Sequence, residues 1–186
     1  MKYWKWPTVQ PRYEEIIPTL RHMGSRQFSR AAPGDVIWMV TVQPVTDVLF
    51  LVGKLTVGWL GDRDEAMQRL SVPWLWDAPL HVIAREVMEG SGHGEPFKEI
   101  SLRDVCAGLR FISPGGKDRL RTTGGRVHPT QLQTMRQLTG ASARLLEQLW
   151  QAAPAGRADP DGGQATAPPS PRLRSESPHN TLQRAR

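Results

Sequence analysis

Two pairs of tryptophans are spaced for chemistry on a flat ligand. Trp4 and Trp6 flank Lys5, and Trp74 and Trp76 flank Leu75 between Pro73 and Pro79. In an extended segment alternate side chains share one side, so each pair can present two indoles to a single ligand. Indole faces stack on an unpaired nucleobase, at about 1–3 kcal/mol per base. They also attract a methylated or cationic base through the negative face of the ring. Trp38 and Trp150 lie in strongly apolar stretches and are expected to pack inside, while Trp59 is open to either role.

Polar residues suited to the same ligand sit in two further segments. In Ser25-Arg26-Gln27, with Arg30 one turn on, the hydroxyl of Ser25 and the amide of Gln27 can read a base edge, and Arg26 and Arg30 can hold phosphates. Lys117, Arg119, Arg121 and Arg126 lie in or beside the glycine-rich stretch 115–125. Glycines there let a backbone approach a phosphate chain closely. A merely solvated basic face would carry the same residues. The run Pro114-Gly115-Gly116-Lys117-Asp118 lacks the spacing and the Lys-Ser/Thr pair of a nucleotide-triphosphate loop.

Nothing in the chain assembles into a catalytic motif. His81, His93 and His128 have no partners at metal-ligand spacing. Cys106 has no base near it in sequence and reads as a buried, inert thiol. No nucleophile elbow and no carboxylate pair stands out. The expectation is therefore no catalytic residue, no metal and no cofactor. The formal charge of +6 favours an anionic partner, and nucleic acid is the commonest one.

The elements that must position these residues follow from pattern. A strand is expected at Tyr3 to Trp6, then a helix around Arg12 to Met23, interrupted by Pro18 and ended by Gly24. Pro33-Gly34-Asp35 reads as a turn into a strand from Val36 to Val42. A second long strand from Val48 to about Leu60 pairs with it as a hairpin. Both are nearly continuous in apolar residues, as central strands are. Asp62 and Glu65 form a capping box for a helix reaching Leu70. Leu80 to Glu86 alternates as a strand, and residues 89–97 read as a loop. Ser101 to Asp104 suggests another capped helix through Ala107, with a strand at Leu109 to Ile112. Pro129 and the spacing of Leu132, Met135 and Leu138 predict a short helix. A second follows Gly140, striped by Leu145, Leu146, Leu149 and Trp150.

Residues 1–152 thus read as one domain, and 153–186 as a disordered, basic, proline- and glycine-rich tail. The lone cysteine excludes an internal disulfide and suits a reducing compartment. The longest apolar run, Val48 to Val52, is too short to span a bilayer. A soluble cytoplasmic protein without a membrane partner is expected, with its oligomeric state left open.

Three segments occur in a suggestive order. They are the Tyr3-Trp4 start; Arg26-Gln27-Phe28-Ser29-Arg30 followed by Gly34-Asp35-Val36-Ile37-Trp38-Met39-Val40; and Arg119-Leu120 followed by Val127-His128-Pro129 and a helix. Over roughly residues 1–151 this order resembles the EVE domain, of the PUA-like superfamily that also holds YTH and ASCH domains. The resemblance implies an α+β fold, a small PUA-like β-barrel with flanking short helices. It also implies a pocket for a modified base in DNA or RNA, as EVE domains of bacterial defence systems are thought to have. Trp4, Trp6, Trp74 and Trp76 would wall that pocket, and Ser25 and Gln27 would meet the base edge. Arg26, Arg30, Lys117, Arg119, Arg121 and Arg126 would hold the backbone. Two alternatives stand beside it: an ASCH-like hydrolase of a nucleoside or small amide, and a protein-interaction module using exposed tryptophans.

Overall fold

The computed structural model describes residues 1–3, 19–90, 94–113 and 115–154, with the backbone alone for Thr19 and Lys117. Trp4, Trp6, His93, most of the expected first helix and nearly all of the expected tail lie outside the described residues.

In chain order the strands are β1 (Lys2–Tyr3), β2 (Thr19–Leu20), β3 (His22–Gly24), β4 (Val36–Val42), β5 (Leu49–Gly61), β6 (His81–Ala84), β7 (Glu95–Pro96), β8 (Ile100–Ser101), β9 (Arg110–Ser113), β10 (Gly116–Arg119), β11 (Thr122–Thr123), β12 (Arg126–Val127) and β13 (Gln137–Leu138). The α-helices are α1 (Arg63–Leu70), α2 (Arg85–Met88) and α3 (Gly140–Ala152). Short 3-10 turns occupy Arg26–Arg30, Cys106–Gly108 and Pro129–Leu132.

The long β4–β5 hairpin is the spine. β4 pairs antiparallel with β5 from Val36↔Thr56 to Val42↔Leu49, with a register shift between Met39 and Val40. The turn between them closes through Gln43 N–H to Val48 O at 3.0 Å and Asp47 N–H to Gln43 O at 2.9 Å. Their apolar runs are continuous because both faces are covered. Trp38, Val40, Val42, Leu49 and Leu51 enter one core with Phe111, Leu146 and Trp150. Ile37, Met39, Leu55 and Val57 enter a second with Met23 and Phe28.

The barrel expectation is corrected here. The main sheet runs β1-β4-β5-β6-β3 with β8 also on β5, and three smaller sheets, β10-β9-β13, β11-β12 and β2-β7, stand apart from it. Closing a barrel requires the two edge strands to pair with a fixed stagger. The edges here are the short strands β1 and β3, and they do not pair with each other. The described residues therefore form a mixed α/β arrangement of several open sheets, with no closed barrel.

Four local expectations are also overturned. Thr19–Leu20 and His22–Gly24 are strands, not the end of a helix, because β7 and β6 offer them partners. Gly24 is no helix cap: it faces His81 across the ladder, where a Cβ would fall 2.6 Å from Trp76 Nε1. Ser101 does not open a helix but ends β8, its hydroxyl accepting from Arg103 N–H at 3.3 Å. The stretch after Pro129 makes one 3-10 turn and then β13, since Gln137 and Leu138 pair with β9.

Other signals held. Asp62 Oδ1 accepts from Glu65 N–H at 2.9 Å and caps α1. Thr139 caps α3, which buries Leu146 and Trp150. No helix among the described residues is long and apolar enough to cross a membrane.

Candidate nucleic-acid-binding cleft

A cleft of about 960 Å³ opens between the start of β4, the Arg26–Arg30 turn and the β10-β9-β13 sheet. Its size lies near the top of the roughly 300–1,000 Å³ range of small-ligand sites. Of the residues expected to bind, Gln27, Arg30, Arg119 and Arg121 line it.

The Arg26–Arg30 turn forms because Ser25, extended at its N-terminus, accepts Gln27 N–H on its hydroxyl at 3.2 Å. Phe28, fully buried, pins the turn into the second core and leaves Arg30 exposed. Three of the four hydrogen-bonding positions of the Gln27 amide are taken. Its Oε1 accepts from Lys2 Nζ at 2.9 Å and from Met135 N–H at 2.8 Å, and its Nε2 donates to Gln133 O at 3.0 Å. Lys2 Nζ also donates to Ser25 Oγ at 3.1 Å. Gln27 and Ser25 therefore tie β1, the turn and the 133–135 segment together, forming one wall of the cleft. Burial, and then the charge of Arg26, lowers the Lys2 amine from its ordinary range.

On the opposite wall, Arg121 is held by its backbone: Gln131 Oε1 accepts its N–H at 2.7 Å and Gln131 Nε2 donates to its C=O at 2.9 Å. The guanidinium groups of Arg30, Arg119 and Arg121 make no hydrogen bond or ion pair among the described residues. Arg136 is different. Its guanidinium lies over the Phe111 ring, 4.1 Å from the centroid, and pairs with Asp118. Its backbone exchanges two bonds with Met1, whose amine donates to Arg136 O at 2.7 Å and whose carbonyl accepts Arg136 N–H at 3.0 Å. Burial lowers that amine to about 5.

The cleft thus carries four guanidinium groups against two carboxylates, Asp118 and Asp35, and the latter accepts Ala32 N–H at 2.9 Å. No histidine, cysteine or glutamate is among its lining residues. Nor do the described residues hold a group of three or more potential metal ligands. Four guanidinium groups against two carboxylates give the described lining an excess of positive charge, which suits an anionic ligand.

The remaining expected residues lie elsewhere. Trp74 is 65 % exposed on the loop before β6. Trp76 leans on the His22 ring at 4.8 Å and the His81 ring at 6.2 Å, so it belongs to a histidine cluster and does not line the cleft. Arg26 is exposed and outside the cleft lining, and Arg126, on β12, pairs with Thr123 of β11 and bridges Val48. The backbone of Lys117 lies opposite Ile112 on β10. Sequence reading missed Arg136, Gln131 and Trp38 as cleft residues. The first two were hidden by reading 129–138 as a helix, and Trp38 by its apolar neighbours. Trp38 is 3 % exposed and meets Trp150 edge-on at 6.3 Å.

No protein-family model matches this chain, and no match is found among the curated proteins or among the solved structures.

Proposed function

We propose that this chain is a non-enzymatic nucleic-acid-binding module that takes an unpaired stretch of DNA or RNA into the arginine-lined cleft. One observation carries the reading: three guanidinium groups with no partner among the described residues, those of Arg30, Arg119 and Arg121, border a single concavity of nucleotide-holding size. Guanidinium groups hold phosphates through forked hydrogen bonds. A concave site favours a single strand or an extruded base over an intact duplex. The motif order that resembles EVE domains supports the same ligand class, and a modified base is the form of it that the resemblance favours.

Titration of a fluorescent 12-nucleotide single strand at several salt concentrations tests this. Three phosphate contacts on a single strand give a slope of log K against log salt of about −2, at roughly 0.7 per contact. Modified and unmodified strands of one sequence, compared in the same assay, test the preference for modification. Absence of binding at low salt defeats the proposal, as does a slope unchanged by replacing all three arginines with alanine. The exposed indole of Trp74 supports a second reading, a protein-interaction surface. Trp74→Ala leaves oligonucleotide binding intact if that reading describes this loop.

A further inference from the structure

We infer that Arg136 is a stacking platform for a nucleobase, a subsite that rests on the nucleic-acid reading above and specifies how that cleft engages a base. Trp38 is the only aromatic residue among the described cleft lining, and its ring is enclosed by Trp150 and by Lys54, whose Nζ lies 5.7 Å from the ring centroid. Base stacking on an indole therefore has no open face there. Arg136 supplies a different plane. Its guanidinium carbon lies 4.1 Å from the ring centroid of fully buried Phe111, and Arg136 is itself one of the residues that line the cleft, so a base entering there would meet an arginine backed by an aromatic ring.

Orientation is set from three directions. Phe111 lies under the guanidinium, Asp118 pairs with its Nη2, and the two backbone bonds to Met1 hold the stem. The side chain is only 16 % exposed. The pairings Asp118↔Phe111 and Leu138↔Phe111 place Asp118, Phe111 and Leu138 at one level of the β10-β9-β13 sheet, with Arg136 two residues before Leu138. An arginine already neutralised by a carboxylate is a weak phosphate ligand, but its planar, weakly hydrated cation still stacks on a base. Met135 and Leu138 line the same cleft and add apolar surface around it. The division of labour is then clear: Arg30, Arg119 and Arg121 meet phosphates, and Arg136 meets a base.

The test uses the full-length chain and two single strands of equal length, one with bases and one fully abasic. Wild type is expected to bind the base-bearing strand about tenfold more tightly, since one stacked base contributes on that order. The two strands should share one salt slope. Arg136→Lys keeps the charge and loses the plane, so it should bring the ratio close to one and leave the slope unchanged. Equal binding of both strands by wild type overturns the stacking subsite and leaves the phosphate-binding cleft standing. A ratio retained in Arg136→Lys overturns it too. If neither strand binds at low salt, the cleft reading itself fails. The abasic comparison needs no variant, so a folding defect in Arg136→Lys cannot mask the result.

Discussion

The side-chain amide of Gln131 reaches across the cleft wall to take both backbone hydrogen-bonding groups of Arg121, its N–H at 2.7 Å and its C=O at 2.9 Å. In effect Gln131 supplies the missing neighbour strand for one residue. This fixes where the Arg121 side chain begins, while its guanidinium has no partner among the described residues. Arg121→Ala should reduce the salt slope of oligonucleotide binding by about 0.7, one single-strand phosphate contact. Gln131→Ala should weaken binding in the same direction. The double variant should be no weaker than Arg121→Ala alone, because Gln131 acts through Arg121. Additive losses would show that Gln131 contacts the ligand itself.

Lys98 closes the end of α3. Its Nζ, on a residue only 8 % exposed, donates to Trp150 O at 2.6 Å and Ala153 O at 2.8 Å and sits 4.9 Å from the Trp150 ring centroid. A cation at a helix C-terminus satisfies its orphan carbonyls and opposes its dipole. Lys98→Met keeps most of the stem and removes the charged donor. It should cost about 1.5–3 kcal/mol in urea unfolding, the range for charged hydrogen bonds. No change in the midpoint would mean that water replaces the ammonium fully.

The His22–His81 pair makes stability depend on pH. Their ring planes lie within 9° of parallel and the rings meet edge to edge, with His22 Nε2 and His81 Nδ1 2.7 Å apart, and His81 Nε2 lies 3.0 Å from Ala78 O. His81 Nε2–H must donate to that carbonyl, so His81 Nδ1 accepts from His22. Burial lowers the His81 pKa. The Ala78 carbonyl and the carboxylates of Asp62 and Asp77 oppose that shift, and the Arg63 guanidinium adds to it. With the folded value below the unfolded one, the unfolded chain takes up more protons as pH falls below about 6.5. Stability is therefore full above that pH and declines beneath it. Urea midpoints at pH 7.5 and 5.5 should differ in wild type and differ less in His81→Gln.

Gly58 sits at the β5–β6 register shift between Val57 and Trp59. A Cβ there would lie 2.5 Å from Arg85 Cα and 2.9 Å from Arg85 N, backbone atoms that cannot swing aside. Gly58→Ala should destabilise by about 1–3 kcal/mol through overpacking. A thermal midpoint at the wild-type value would show that α2 can shift to make room.

Much of the spine was legible because its signals are local. β-branched and apolar runs announced β4 and β5, Asp62 and Glu65 announced α1, and the leucine stripe ending at Trp150 announced α3. Part of the cleft was legible too: Gln27, Arg30, Arg119 and Arg121 were singled out by type. The role of Gln27 was not, because an amide drawn in sequence as a free base reader is consumed by Lys2, Gln133 and Met135.

By itself, the order of residues determined which segments prefer strand or helix and that the chain is basic. Such preferences arise from near neighbours and from charge count. Only the tertiary structure decided that residues 19–20, 22–24 and 137–138 become strands, that the sheet edges stay apart, and that Arg136 lies over Phe111. Each of those outcomes depends on a partner distant in sequence. Pairing and burial across that distance outweigh the fractions of a kcal/mol per residue by which local propensity would have chosen otherwise.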